Sequence, residues 1–179
     1  MTAVYAAEMD SIIGPLVLAA TDQGLCNIHF GGLDESLETL KGWSKRHLAG
    51  SQGELMTVGA AEHPILKEAY AQLQAYFDRR LTSFELPLHM AGTPFQLKVW
   101  EALRAVPYGE TCTYKDIALA IGQPGAMRAV GGANNRNPVP VIVPCHRVIG
   151  AGGQLVGYGG GLPIKVALLD LEQMEWRLV

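Results

Sequence analysis

The sequence predicts an α/β domain in the N-terminal half and a mainly helical domain in the C-terminal half. Apolar or alternating runs between residues 4 and 30 favour β-strands, because the side chains of a half-buried strand alternate between two faces. Apolar residues then recur at helical spacing before residue 80. From residue 92 onwards, helix-start signals and glycine-containing turns dominate. We therefore expect two domains, residues 1–91 and residues 92–179.

The composition is that of a compact folded protein. Of the 179 residues, 49% are hydrophobic and 17% are charged, which excludes a disordered chain. No apolar run approaches the roughly 18 residues that a membrane-spanning helix needs, and the start of the chain lacks the features of a signal peptide. Cys26, Cys112 and Cys145 lie far apart without CxxC spacing, which argues for free thiols in a reducing compartment. We expect a cytoplasmic protein, or a nuclear one if the source is eukaryotic, that does not bind membranes.

Charge is unevenly distributed along the chain. The net charge is −3, yet residues 93–179 carry 8 Lys+Arg against 6 Asp+Glu, and residues 93–150 carry 6 against 3. A locally basic surface is compatible with phosphate binding, although many ordinary enzymes have one.

Local patterns predict the elements of the N-terminal half. Strands are expected at 4–8, 14–20 and 25–30, and residues 31–61 are expected to be irregular apart from a short helix near 34–45. An amphipathic helix then runs from 63 to 80, and residues 84–91 are expected to form one more strand. The lone histidines His29 and His63 are expected to have structural or surface roles.

Capping signals predict the helices of the C-terminal half. Thr93-Pro94 starts a helix that ends near residues 106–109, because threonine caps a helix and proline fits its first turn. Thr113 caps a short helix over 114–120, and a second helix covers 126–135 after a glycine-containing turn. Two short helices joined in this way form the helix-turn-helix pattern. The second helix is rich in Gly and Ala, so it permits close approach to another helix or to nucleic acid, with Arg128 as its one long projecting side chain.

One stretch, residues 138–150, carries the chemistry. Its β-branched run 141–143 favours an extended buried strand, and Pro144 is expected to end that strand. Cys145 would then lie at the mouth of a strand, on a rigid mount with one open face. A small buried core thiol is the alternative, but the titratable His146 and the arginine after it favour a nucleophile.

A glycine-rich loop and a final helix follow. Residues 150–161 contain seven glycines but match no nucleotide-phosphate motif, so we reject a phosphate loop. Exposed backbone groups suit recognition of a flat ligand edge instead. The final helix, residues 162–176, carries Lys165 and Glu172.

These residues, in this order, resemble the O6-alkylguanine-DNA alkyltransferases, also called methylated-DNA–protein-cysteine methyltransferases. The similarity covers essentially all of residues 92–172, and its Pro-Cys-His-Arg core is highly specific; the first half resembles the family only loosely. The resemblance implies a ribonuclease-H-like N-terminal domain and a winged-helix-like C-terminal domain. The motifs that carry it are Gly92-Thr93-Pro94-Phe95-Gln96, Pro107-Tyr108-Gly109-Glu110-Thr111, Tyr114, Arg128-Ala129-Val130-Gly131, Asn137-Pro138, Pro144-Cys145-His146-Arg147-Val148, Gly157-Tyr158 and Gly161-Leu162.

The resemblance implies direct-reversal DNA repair. An alkyl group moves from guanine O6, and by expectation also from O4-methylthymine, onto Cys145, once, irreversibly and without a cofactor. A free thiol with a pKa near 8.5 is only a few per cent thiolate at neutral pH, so the acceptor needs a base. Neighbours on an extended chain point to opposite sides, so His146 is expected to act through a bridging water, as in the family. Glu172 matches the carboxylate that orients the histidine, which gives a Cys–water–His–Glu relay.

The resemblance also implies alkylated duplex DNA as the partner, with the target base flipped out of the stack. The second short helix, with Ala126, Ala129 and Gly131, would enter the minor groove while Arg128 fills the gap in the stack. Tyr114 would crowd the 3′ phosphate and hydrogen-bond the flipped base. No obligate protein partner is expected. The remaining pocket residues are Pro140 and Tyr158 as lining, Val148 and Gly159 (with Cys145) as backbone readers of the base, Asn137 as a brace of the turn, and Lys165 as an assistant of Tyr114.

Some positions depart from the family pattern. Gln123 stands where members commonly have Asn, and Gly159 stands where Ser or Ala is common, which would widen the pocket towards bulkier alkyl groups. Some relatives hold a structural zinc in the N-terminal domain. Of its four ligand positions only His29 matches here, so we expect no metal; the other three are Tyr5, Gly24 and Glu85.

Two other functions fit parts of the pattern. A DNA-damage-binding protein without transfer resembles the relatives that lack the acceptor cysteine, and the presence of Cys145 argues against it. A thiol hydrolase would need a separated base that contacts the thiol directly, whereas Cys145 and His146 are adjacent.

Overall fold

A four-stranded mixed sheet lies at the centre of the first of two structural units. The computed structural model describes residues 1–177, with side chains as far as residue 173, and the chain divides into one unit of residues 1–91 and a second from residue 92 onwards. The strands are β1 (Val4–Met9), β2 (Leu16–Thr21), β3 (Gly24–Phe30) and β4 (Leu55–Thr57), in the order β3-β2-β1-β4. Only the β1–β4 pair is parallel.

Two helices accompany this sheet, α1 (Leu33–His47) and α2 (Pro64–Phe77), with a single turn of 3-10 helix at Ala60–Glu62 before α2. The apolar stripe of α2 is buried, as its spacing predicted. His63 caps α2, since its Nδ1 accepts a hydrogen bond from the Ile65 amide at 3.3 Å. The three N-terminal strands and α2 confirm the expected α/β character.

Three expectations for this unit need correction. The helix near 34–45 is a full 15 residues long, and β4 was not expected, because a three-residue strand with an exposed Met56 has no readable alternation. Residues 84–91 form no strand and contribute a single bridge, Leu25 to Leu88. Pro87 explains this, because proline has no amide hydrogen to extend a ladder.

The second unit is mainly helical. Its helices are α3 (Pro94–Arg104), α4 (Tyr114–Ala120), α5 (Met127–Asn135) and α6 (Leu162–Arg177), and the two-residue strands β5 (Cys112–Thr113) and β6 (Val148–Ile149) pair in parallel. Thr93 and Thr113 cap α3 and α4, as predicted, and in the structure each belongs to a capping box. In the part of the chain that the structure describes, no helix is long and apolar enough to cross a membrane.

Close packing joins α3 to α5 and fixes the second short helix. Trp100 on α3 donates from Nε1 to the Ala133 carbonyl at 2.8 Å. A Cβ on Gly92 would come within 2.5 Å of the Trp100 ring, so only glycine fits where the chain passes over that indole.

The predicted strand at 141–143 is wrong. These residues are buried but form a turn, in which the Val143 amide bonds the Val139 carbonyl at 3.0 Å and Val141 has a φ of 72°. Cys145 begins a short 3-10 helix, Cys145–Arg147, instead of following a strand. The strand alternation that was expected to separate His146 from the thiol therefore does not apply.

Candidate active site

A tight turn held by Asn137 carries the cysteine. The Asn137 Nδ2 donates to the Val143 carbonyl at 2.8 Å, and its Oδ1 accepts from the Val139 amide at 3.0 Å. The Cys145 amide then bonds the Val143 carbonyl at 2.8 Å. One side chain thus replaces the ladder that a strand would have supplied, and it fixes the backbone immediately before the thiol.

The Cys145 thiol is buried, with an exposed fraction of 4%. Burial raises its pKa, while hydrogen bonds from the Asn137 and Tyr158 side chains and the positive charge of Lys165 oppose that rise. The thiol therefore rests protonated, and these groups would favour the negative charge that develops when it loses its proton.

His146 and Glu172 form a fully buried pair. The His146 Nε2 lies 2.6 Å from Glu172 Oε2, and the two residues are 0% and 1% exposed. Burial lowers the pKa of His146 against the opposing effect of Glu172, so the imidazole is neutral. Since Nε2–H donates to the carboxylate, Nδ1 carries the lone pair. Nδ1 is buried and has no hydrogen-bond partner among the described residues.

Arg147 grips the same carboxylate from the other side. Its Nε donates to Glu172 Oε1 at 2.8 Å and its Nη2 donates to Oε2 at 3.1 Å, while Nη1 donates to the Val106 carbonyl at 2.6 Å. The guanidinium also lies 5.7 Å from the centre of the Tyr108 ring. Burial would raise the pKa of Glu172, but the hydrogen bonds and charges of His146 and Arg147 outweigh it and hold that pKa at about 2.

A shared carbonyl links the glycine-rich loop to two other predicted site residues. The Tyr114 hydroxyl donates to the Val156 carbonyl at 3.2 Å, and the Lys165 ammonium donates to the same oxygen at 3.1 Å. Lys165 is fully buried and also donates to the Val148 carbonyl at 2.6 Å. Lys165 and Tyr114 therefore meet through the backbone of the loop.

An apolar groove of about 430 Å³ opens between α4 and α5. Arg128 is exposed beside it, and a Cβ on Gly131 would meet only the Tyr114 ring, at 3.9 Å, so this glycine leaves open space above α5. The groove is lined by Thr113, Tyr114, Lys115, Met127, Arg128, Gly131 and Ala151.

Comparisons with known proteins identify the family. Residues 94–174 match the model of the 6-O-methylguanine DNA methyltransferase DNA-binding domain, and residues 4–90 match that of the ribonuclease-like domain of the same family. The chain belongs to the 6-O-methylguanine DNA methyltransferase family. This confirms the resemblance and the expected fold class.

Full-length relatives support the same assignment. The methylated-DNA–protein-cysteine methyltransferase of Mycobacterium leprae is 47% identical over 96% of this chain and 94% of its own, and that of Methanosarcina barkeri is 44% identical over 97% and 100%. Among solved structures, Mycobacterium tuberculosis OGT in complex with DNA is 42% identical, with a TM-score of 0.78 over 95% of this chain and 93% of that one.

In this methyltransferase-family chain, the remaining predicted site residues differ in their exposure to solvent. Pro140 and Val148 are buried, and Tyr158 is half-buried. Gly159 is exposed, and a Cβ there would meet only the Asn135 carbonyl oxygen, at 3.6 Å. Ala126 is half-buried and Ala129 is exposed, and neither lines the groove.

Sequence reasoning missed two contacts. The sequence indicates through Arg147 that Cys145 is a nucleophile but predicts no contact for it, whereas in the structure it binds Glu172 through two nitrogens. Asn134 is expected to help end α5 and is assigned no role at the site, but its Nδ2 lies 3.5 Å from the Cys145 carbonyl. An arginine directly after the histidine was the available signal for the first contact; no sequence signal pointed to the second.

Proposed function

We propose that the protein repairs alkylated guanine in DNA by moving the alkyl group from O6 to the Sγ of Cys145, once per molecule. The S–C bond forms as the C–O bond breaks, and the guanine leaves with a proton on its ring. The family carries out this class of transfer, as the names of the relatives state. The single observation that carries the assignment to Cys145 is its place beside a buried, oriented histidine–carboxylate pair.

His146 is the base in this proposal. Its Nε2–H is held by Glu172, so its buried Nδ1 lone pair is the atom that can take the thiol proton. A bridging water between Sγ and Nδ1, as the family relay implies, would carry that proton. As the thiolate forms, the donors from Asn137 and Tyr158 and the charge of Lys165 favour it.

Tyr114 supplies the proton for the leaving guanine. Burial raises the pKa of Tyr114, and the nearby Cys145 raises it further, so the hydroxyl keeps its proton at neutral pH. It already donates to the Val156 carbonyl at 3.2 Å, within reach of the loop expected to frame the base. Tyr114 can exchange this acceptor for a guanine ring nitrogen once the base has entered.

DNA binding falls to α5 and the groove beside it. The exposed Arg128 and the bare surface at Gly131 suit insertion into the minor groove with extrusion of the target base. Ala126 and Ala129 add little bulk to this helix and so would permit close approach to the sugar–phosphate backbone.

An intact-mass measurement tests the transfer. The purified protein is mixed with a duplex oligonucleotide carrying O6-methylguanine. The intact mass of the protein is measured first, and a peptide map then locates any added group. We expect one methyl group per molecule, confined to the peptide that contains Cys145. Tight binding with an unchanged mass would instead indicate a damage-binding protein. An unchanged mass without any binding to the duplex would overturn the proposal. Turnover of a peptide or ester substrate would then revive the thiol-hydrolase alternative.

A further inference from the structure

Arg147 shares the carboxylate that orients the histidine base. Two nitrogens of its guanidinium reach both oxygens of Glu172, at 2.8 and 3.1 Å, and Glu172 Oε2 also lies 2.6 Å from His146 Nε2. All three side chains are almost completely buried. Three ionisable groups therefore occupy one desolvated cluster with only one negative charge among them.

We propose that Arg147 is a positioning residue that keeps His146 uncharged, and so able to accept the thiol proton, by taking up the negative charge of Glu172. The inference rests on the proposed function, in which His146 is the base. A bidentate guanidinium balances one carboxylate completely. A second cation on the imidazole would then leave a buried positive charge without a partner, which is costly in a desolvated site.

The groups that face His146 support this charge balance. Glu172 raises the pKa of His146, whereas Arg147 and Lys165 lower it in the same direction as burial. The charged side chains of α3, which packs against the 3-10 helix Cys145–Arg147, are exposed to solvent; they are Lys98, Glu101 and Arg104. Tyr108 faces the guanidinium of Arg147, and Tyr158 faces the sulfur.

Arg147 also makes a hydrogen bond outside the carboxylate cluster, which a simple counterion would not make. Its Nη1 donates to the Val106 carbonyl at 2.6 Å, beyond the end of α3. The guanidinium is therefore fixed at three points, and through it Glu172 Oε2 stays in line with His146 Nε2. Lysine at this position would supply the charge from a single nitrogen, without the planar fork that contacts both carboxylate oxygens at once.

The test measures the rate of methyl transfer to Cys145 against pH in single turnover. Wild type, Arg147→Gln and Arg147→Lys are compared, with Arg104→Gln as the control that removes an exposed positive charge from the same unit. Without Arg147, the full charge of Glu172 acts on His146, so the pH below which the rate falls should move upward by about one pH unit. We call the pH of half-maximal rate the midpoint and the constant rate at high pH the plateau. At a pH below both midpoints, the rate of Arg147→Gln, divided by its own plateau rate, should be about tenfold lower than the same ratio for wild type. In Arg147→Lys the midpoint should lie close to that of wild type, while the plateau rate should stay below it. Arg104→Gln should change neither the midpoint nor the plateau rate.

A purely structural role would lower the rate of Arg147→Gln by the same factor at every pH, and that result would overturn the inference. If Arg147→Gln does not fold, the double variant Arg147→Gln/Glu172→Gln removes both charges and leaves no unpaired buried ion. Its midpoint should lie at or below that of wild type, and a raised midpoint would contradict the inference. Failure of the proposed function itself is distinguishable, because wild type would then acquire no methyl group on Cys145.

Discussion

Two buried thiols, one in each unit, differ little in exposure and greatly in surroundings. Cys26 on β3 is 0% exposed and Cys145 is 4% exposed. Burial raises the pKa of both, that of Cys26 to about 12. Cys26 donates to the Ala19 carbonyl at 3.4 Å and packs among apolar residues of the sheet. Cys145 instead has the side chains of Asn137, Tyr158 and Lys165 acting on it, and it is followed in the chain by His146, which Glu172 holds.

This difference shows that solvent exposure does not distinguish the cysteine that accepts the alkyl group from the other cysteines. Cys112 makes the point from the other side, since it is only half-buried, yet burial and the negative charge of Asp116 raise its pKa to about 11. A reactive thiol needs groups that favour its thiolate and a base to receive its proton. Among the three, Cys145 is the one next to a histidine that a buried carboxylate holds, and we propose that histidine as its base.

Replacement of each cysteine by alanine is the most direct way to break this comparison. Cys145→Ala should abolish methyl transfer but leave binding to alkylated duplex DNA, because it removes the acceptor sulfur and keeps the α5 residues proposed to bind DNA. Cys26→Ala and Cys112→Ala should transfer at the wild-type rate, measured in single turnover with an O6-methylguanine duplex. Transfer that survives in Cys145→Ala would sink the mechanism.

The next largest effect concerns delivery of the base to a buried sulfur. Arg128→Ala should slow repair of duplex DNA by about a hundredfold, since base extrusion costs a few kcal/mol, and should change the reaction with free O6-benzylguanine little. Arg136→Ala removes the same charge from the far end of α5 and is the control. Equal losses on both substrates in Arg128→Ala would remove its role in flipping.

An asparagine lies near each of two thiols, the half-buried Asn137 near Cys145 and the buried Asn27 next to Cys26, and these residues provide the third test. Asn137→Ala leaves the Val139 amide without its partner, removes one of the two hydrogen bonds to the Val143 carbonyl, and removes a donor to the sulfur. We expect a loss of about 2 kcal/mol in the free energy of unfolding, and a transfer rate about tenfold lower in the fraction that remains folded.

Asn27→Ala is the matched control, because Asn27 is buried in β3 beside Cys26. It should lower stability without changing the transfer rate per folded molecule. Denaturant unfolding and single-turnover rates, measured on the same samples, separate the two effects. An unchanged rate in Asn137→Ala would show that this side chain acts on the fold alone.

Local signals were enough for much of the fold. The caps at Thr93 and Thr113 and the apolar spacing of α2 predicted helices that the structure confirms. Strands of two or three residues, such as β5, have too few positions to show alternation, so they were missed. The run 141–143 misled because burial and β-branching favour a strand and equally suit a buried turn, and the bracing by Asn137 is a tertiary contact.

The site shows the same limit. Adjacent residues such as Cys145 and His146 can be read from the sequence, and the family motif named Glu172. Arg147 and Glu172 are 25 positions apart in the sequence. No local sequence pattern indicates that the arginine side chain points towards α6 instead of towards solvent or DNA. Pairing of buried charges depends on which elements pack together, so it becomes visible only in the structure.

The smallest expected effect is one of specificity and depends on Gly159. A Cβ at this position would lie in ordinary contact with the Asn135 carbonyl, at 3.6 Å, so Gly159→Ser should fold normally. If this residue borders the base pocket, the added side chain narrows the space for the alkyl group. Transfer from O6-methylguanine should then stay within about twofold of wild type, while transfer from O6-benzylguanine should slow about fivefold, in line with the modest energies of steric discrimination. Parallel single-turnover rates on oligonucleotides carrying either lesion measure that ratio, and an unchanged ratio would place Gly159 outside the pocket.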